Sequence, residues 1–357
     1  MGLAARLPES CLGAPMSLCM ASDLHYLPAH ASVKLLRRWP LEPINVAASV
    51  NRIVDSVELA IKGKRGAIEA CVATLLSGGH LLIEDIPGVG KTTLAKSLAR
   101  ALGCSFKRLQ FTPDLLPSDV TGTSVFNQKT AEFDFRPGPV FAHVVLADEI
   151  NRTTPKTQSA LLECMEERQV TVDGVTRQLP APFFVIATQN NLEHAGTYPL
   201  PEAQLDRFAA RLAVGYPSVD DEIAILKSQR LSGAVDEIQP VMSPETVTQA
   251  QEAVRSVYVS DELYGYVLGL VSATRSHPAL SLGASPRASL SLLHLAQAVA
   301  AMDGRTFVKP DDVKRSAVSA LGHRVIVRPE HRIRGVGGAQ CVAEAVQRTP
   351  VPLEPQK

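Results

Sequence analysis

The chain has 357 residues, 45% of them hydrophobic and 20% charged, and its 36 Lys and Arg balance 36 Asp and Glu. That length predicts about two domains, and the apolar content excludes a wholly disordered chain. The absence of a basic excess argues against a dedicated nucleic-acid binder, and no uncharged apolar run approaches the roughly 20 residues of a membrane span.

Residues 1–44 are broken by Gly2, Pro8, Gly13, Pro15, Pro28, Pro40 and Pro43. They hold no periodic apolar face and predict a flexible extension. They also lack a basic stretch followed by an apolar one, so no secretory leader is predicted and the expected location is the cytoplasm. Six cysteines lie far apart without a CxxC pair, which favours free thiols over a disulfide framework or a zinc site. From Ile44 the texture changes. Val50, Ile53, Val57 and Ile61, then Ile68, Cys71, Val72 and Leu75, carry helical spacing up to the Gly78-Gly79 turn.

Apolar runs of strand length follow at 80–84, 105–109, 143–148, 183–188 and 211–215, separated by helical patterns. This alternation predicts an α/β fold with a parallel five-stranded sheet covered by helices on both faces. After Tyr216-Pro217 the strand signals stop, and 218–328 read as a second domain that is helical throughout. Residues 329–357 read as a short flexible tail, rich in Pro and Gly.

The first strand runs into Asp85-Ile86-Pro87-Gly88-Val89-Gly90-Lys91-Thr92-Thr93, and a helical pattern with Leu94, Leu98 and Leu102 on one face follows. Strand, glycine-rich turn, GK[ST] and helix together make a phosphate-binding loop. Its backbone N–H groups and the helix N-terminus favour phosphate oxygens. Lys91 is assigned to the β- and γ-phosphates of ATP and the Thr92 hydroxyl to Mg²⁺. The strict pattern has Gly where Asp85 stands.

A second strand is apolar until Asp148 at its carboxyl end, with Glu149 next. Two adjacent acids at a buried strand end are unfavourable unless a metal or proton offsets them. Asp148 is therefore assigned to hydrated Mg²⁺ and Glu149 to polarising the attacking water. A third strand ends at Gln189-Asn190, where Asn190 is placed to orient that water and sense the γ-phosphate. Arg152 is a further basic candidate near the site. Ser285-Pro286 form a helix start, N-cap then Pro, which puts Arg287 in the first turn. A cation there is unfavourable without an anion beside it, so Arg287 suits a phosphate on which the helical domain closes.

These residues carry a resemblance. Glu84 to Thr92, Asp148-Glu149-Ile150-Asn151-Arg152 with the stretch to Arg168, Ala187 to Asn190, Gly196 to Phe208, and Gly283-Ala284-Ser285-Pro286-Arg287-Ala288-Ser289 resemble the MoxR family of AAA+ ATPases. The resemblance covers about Ile44 to Val327. It implies an αβα AAA+ core followed by a helical lid, with ATP bound where the two meet. It also implies a sensor role for Asn190, an arginine-finger role for Arg207 on a neighbouring subunit's nucleotide, and a second sensor role for Arg287. The family has Pro after the sensor Asn, and this chain has Asn191.

Two inserted hairpins are expected. Residues 121–141 alternate around a polar centre at 127–132, and 169–179 centre on Asp173-Gly174, a strong turn signal. The resemblance implies that both project toward the pore of a ring.

The functional expectation is an ATP-driven remodeller, a homo-oligomeric and hexameric ring acting on protein clients. By resemblance such rings serve the maturation of enzyme complexes or metal-cofactor insertion, with a separate partner bearing a von Willebrand factor A domain. The alternative is a helicase-like nucleic-acid motor. Charge is close to balance in every segment, which disfavours phosphate tracking.

Overall fold

The computed structural model describes residues 45–190, 196–228 and 235–352. The expected extension 1–44 lies outside these. The described chain begins with α1 (Val46–Glu58) and α2 (Arg65–Leu76), then β1 (Leu81–Glu84), α3 (Lys91–Ala101) and β2 (Phe106–Gln110). A short α4 (Pro117–Thr121) leads into the hairpin β3 (Gly122–Asn127) and β4 (Glu132–Pro137). Next come β5 (Val144–Asp148), α5 (Pro155–Glu167), the hairpin β6 (Gln169–Val172) and β7 (Val175–Gln178), β8 (Phe184–Gln189), α6 (Glu202–Leu205) and β9 (Ala210–Leu212). The remainder is α7 (Val219–Ser228), α8 (Pro244–Arg255), α9 (Asp261–Arg275), β10 (Leu280–Leu282), α10 (Pro286–Met302), α11 (Pro310–Leu321), β11 (Ile326–Val327), α12 (Pro329–Arg332) and α13 (Gly338–Arg348).

The five predicted strands form one sheet in the order β2-β5-β8-β1-β9, with every neighbour parallel. Alternation along each strand feeds two cores. Leu81, Ile83, Val144, Leu146, Phe184 and Ile186 face the cluster shared with α1, α2, α3 and the later helices. Leu82, Val145, Ala147, Val185 and Ala187 face a second cluster, with Leu161, Leu162 and Phe208. Burial on both faces explains why the central strands β1, β5 and β8 read as apolar runs up to their carboxyl ends, whereas β2 at the sheet edge carries exposed Lys107 and Arg108. The strand order also sets the carboxyl ends of β1, β5 and β8 side by side.

Both hairpins form. Asp173 and Gly174 have φ of 52° and 74°, the two left-handed positions of the predicted tight turn. The Arg177 guanidinium stacks on the Phe135 ring at 3.9 Å and joins the two hairpins. Phe126 and Phe133 pair across the first hairpin beside its tip and are exposed.

Three expectations need correction. The 218–328 stretch is not wholly helical, because β10 and β11 pair as a small antiparallel ladder; strands this short leave little period to read. Residues 329–357 are not simply a tail: α13 buries Cys341, Val342 and Ala345 and packs on α9 and α11. Gly and Pro at either side of that helix masked its apolar stripe. The last strand ends at Leu212 instead of continuing to Gly215. Among the described residues no helix is long and apolar enough to cross a membrane.

Two buried histidines tie the layers together. His80 Nδ1 accepts from the Val185 N–H at 3.0 Å, so Nε2 carries the proton and donates to the Met165 carbonyl at 3.1 Å. His323 Nε2 donates to the Phe208 carbonyl at 2.9 Å. Burial, with Arg168 beside His80 and Arg324 beside His323, pushes both imidazoles down to about 3 from the ordinary 6.5. Both are neutral in the folded chain, whereas the unfolded chain takes up protons below about 6.5. Their contribution is therefore complete above that pH and is lost as pH falls toward 3, each by up to about 1.4 kcal/mol per pH unit. Urea unfolding between pH 7.5 and 5 is expected to show stability falling over the lower part of this range. His80→Gln is expected to flatten the slope, and a pH-independent parent chain contradicts the assignment.

Candidate active site

At the carboxyl end of β1 the chain turns through Asp85–Gly90 into α3. Gly88 and Gly90 have φ of 85° and 89°, a left-handed backbone that glycine adopts without strain. A Cβ built on either meets nothing within 4 Å. The glycines thus satisfy backbone conformation and leave open space above the loop. Lys91, Thr92 and Thr93 form the first turn of α3, where N–H groups lack intrahelical partners and attract an oxyanion. Pro87 lies in the loop, and Val89 anchors it by packing against the core.

Asp85, the departure from the strict motif, has a structural use. Its carboxylate accepts from the Ile86 N–H at 2.8 Å and from the Gly215 N–H at 2.6 Å, tying the loop to the segment after β9. Its carbonyl accepts from Lys91 Nζ at 2.7 Å. Burial draws the Lys91 ammonium below the usual lysine range, opposed by the Asp85, Asp148 and Glu149 carboxylates. These four groups share one electrostatic environment.

Asp148 ends β5, on the other side of β8 from β1, and Glu149 follows it. The Thr188 hydroxyl donates to Asp148 Oδ1 at 2.6 Å and its oxygen accepts from the Glu149 N–H at 2.8 Å. This clamp from β8 holds Glu149 in a left-handed conformation, φ 58°, that a residue with a Cβ adopts only at some strain. Arg108 Nη2 and Nε donate to Asp148 Oδ2 at 2.7 and 3.1 Å. Gln110 Nε2 donates to Glu149 Oε2 at 2.6 Å and accepts at its own oxygen from Arg108 at 2.8 Å. Arg152 Nη1 also reaches Glu149 Oε2, at 3.2 Å, which places that arginine beside the acid.

Asn190 directly follows β8, between the strands that end in Asp148 and Glu84, and is buried. Its carbonyl accepts from Asn151 Nδ2 at 3.5 Å. Asn191 lies outside the described residues. Gln158 on α5 donates to the carbonyls of Ile150, Thr153 and Tyr198 and so fixes the loop after Glu149.

The donor set fits a magnesium nucleotide. No group of three or more His, Cys, Asp or Glu able to hold a metal occurs among the described residues. One hydroxyl and one carboxylate, Thr92 and Asp148, suit an ion whose other ligands are phosphate oxygens and water. Bound with the nucleotide, such an ion neutralises charge on the phosphoryl oxygens.

Two predicted residues are not brought to this group. Arg207 Nη1 donates to the Leu162 carbonyl on α5 at 2.7 Å, and Arg287 Nη2 meets Glu166 on α5 at 2.8 Å. With Arg168, Arg255 and His294 they line an opening of about 280 Å³ beside Gly78, Gly79 and His80. That is the amino end of β1. At about 3.3 Å per strand residue, His80 and Asp85 are ~16 Å apart. The expectation that the helical domain brings Arg287 onto this chain's own phosphate site is therefore corrected: its helix start faces the opposite end of the sheet, where Glu166 supplies the anion that the α10 N-terminus calls for.

The family model described as "ATPase family associated with various cellular activities (AAA)" matches residues 80–210, and the AAA lid domain model matches 272–344. Chaperone MoxR1 of Mycobacterium tuberculosis is 42% identical over 288 residues, covering 78% of this chain and 76% of that protein. The chain belongs to the MoxR family of AAA+ ATPases. An uncharacterised Bacillus subtilis protein, YeaC, is 48% identical over 85% of this chain and 95% of its own length. The crystal structure of a Cytophaga hutchinsonii protein described as an ATPase superposes with a TM-score of 0.81 at 36% identity, covering 86% of this chain and 96% of the other. The α/β fold with its helical lid is thus shared with that protein of known structure.

Arg108, Gln110 and Thr188 were not singled out as site residues in the sequence. The available signal was two polar residues at alternate positions near the carboxyl end of β2, the end of a parallel sheet where ligands bind.

Proposed function

We propose that this MoxR-family chain hydrolyses ATP with Mg²⁺ as a ring of copies, hexameric in the full assembly, and uses the cycle to remodel protein clients. Lys91 and the N–H groups from Gly88 to Thr93 hold the phosphates, Thr92 and Asp148 the metal, Glu149 the attacking water, and Asn190 its orientation. The observation that carries this reading is the separation of Arg207 and Arg287 from Lys91 by the length of β1. One chain then holds half of a hydrolytic site at each end of its sheet, and the halves meet head to tail between copies. Heterologous contacts of this kind close into rings.

The exposed Phe126 and Phe133 rings on hairpins joined through Arg177 and Phe135 support contact with an apolar client segment. Maturation of enzyme complexes or metal-cofactor insertion is the client process proposed, in the cytoplasm, with a von Willebrand factor A domain protein as partner. The even charge of the chain favours protein over nucleic acid as the substrate.

Mixing two inactive chains tests the assembly. Arg207→Ala keeps an intact phosphate loop and Glu149, while Glu149→Gln keeps an intact finger. In random assembly at equal amounts, about a quarter of interfaces pair the two intact halves, and ATP turnover is expected to reappear. No recovery at any ratio contradicts a finger acting between copies.

A further inference from the structure

The segment Asp206-Arg207-Phe208 belongs to the ATPase core, yet side chains of the helical lid hold it on three sides. Arg324, between α11 and β11, has a side chain only 1% exposed. Its Nη2 donates to the Asp206 carbonyl at 2.9 Å, the Phe208 carbonyl at 2.8 Å and Ser291 Oγ at 2.9 Å. Its Nε lies 3.2 Å from Asp206 Oδ1. The neighbouring His323 donates to the same Phe208 carbonyl at 2.9 Å. Ser285, the N-cap of α10, accepts from the Ala288 N–H and donates its hydroxyl to the Asp206 carboxylate at 2.9 and 3.1 Å.

The consequence is geometric. The carbonyls on either side of Arg207 and the carboxylate just before it are fixed by Ser285, His323 and Arg324. Arg287 stands two residues after Ser285, in the first turn of the same helix. The buried guanidinium makes its hydrogen bonds through Nη2 alone, and the Asp206 carboxylate beside Nε compensates its charge, so removing that carboxylate would leave a charge unpaired away from water.

We propose that Arg324 is a positioning residue which, through Asp206 and Ser285, locks the finger segment to the lid, so that Arg207 and Arg287 are presented as one basic face to the nucleotide of a neighbouring copy. This rests on the reading above that Arg207 acts between copies. It adds that lid and finger move together: any rotation of the lid on one chain is delivered to the adjacent chain's phosphates, while the first chain's own loop at the far end of β1 is left alone.

Arg324→Gln and the nearly isosteric Asp206→Asn, each in the full chain, test the lock. A displacement of about 1 Å at a reacting group lowers rate by about 100-fold, so kcat for ATP is expected to fall about 10- to 100-fold in both variants. Affinity for a fluorescent ATP analogue is expected to stay within about twofold, since each variant keeps its own phosphate loop. Mixed with Glu149→Gln, both variants are expected to regain turnover, because the finger then comes from a chain whose lock is intact. A folding defect would move affinity and would not be rescued in this way. If Arg324→Gln does not fold, Asp206→Asn decides alone. Full kcat in folded variants, weakened nucleotide affinity, or failure of rescue overturns the lock. Full turnover in Arg207→Ala overturns the action between copies itself, which separates failure of that reading from failure of the lock.

Discussion

Glu149→Gln is expected to bind ATP as the parent chain does and to lose turnover by about 10²–10⁴-fold, the range for removal of a general base. The amide has the size of the carboxylate and keeps an oxygen to accept from Gln110, now 2.6 Å from Glu149 Oε2. The Thr188 clamp acts on the backbone N–H and survives the change. What disappears is the negative charge that polarises water, together with the ion pair to Arg152. Single-turnover hydrolysis beside equilibrium binding of a fluorescent analogue checks this. Normal turnover removes Glu149 from the proposed role, and lost binding means that the acid is structural.

Lys91→Ala acts earlier in the cycle. The ammonium lies where Asp85, Asp148 and Glu149 favour its charge against the pull of burial, and its contact with the Asp85 carbonyl holds it beside the loop. Hydrogen bonds to charged groups contribute about 1.5–3 kcal/mol. Nucleotide affinity is therefore expected to fall about 10- to 200-fold, with hydrolysis lost as well. An unchanged dissociation constant in a titration with a fluorescent ATP analogue contradicts contact between Lys91 and phosphate. Glu149→Gln and Lys91→Ala thus separate the chemical step from the binding step at the ends of β5 and β1, which flank β8.

Much of the candidate site is legible in the sequence because its parts are local. Gly88, Gly90, Lys91 and Thr92 are consecutive or nearly so, and positive φ at two glycines before a helix is a property of a short segment. Asp148 closes an apolar run, and an acid at such a strand end stands out without knowledge of its neighbours. The three central strands are legible for the same reason, since burial on both faces keeps polar residues to the carboxyl ends of β1, β5 and β8.

Other features were hidden by distance along the chain. Arg108 and Gln110 look like ordinary polar residues of a strand until β2 pairs with β5, with Gln110 opposite Asp148. Asp85 departs from the strict motif, and its use depends on Gly215, 130 residues away, whose N–H donates to it. Cys341, Val342 and Ala345 form too short a stripe to outweigh the Gly and Pro around them. They become a helix face because α9 and α11 cover it.

The sequence by itself determined the sheet, the glycine-rich loop, the acid pair and the membership in a family, because each is encoded within a few dozen residues by periodicity or motif. Tertiary structure decided which ends meet. It placed Lys91, Asp148, Glu149 and Asn190 at the carboxyl ends of adjacent parallel strands, and it placed Arg207 and Arg287 at the amino end with α5 and Arg324. Parallel strands give a sheet two chemically different ends. Only packing could assign each charged side chain to one of them.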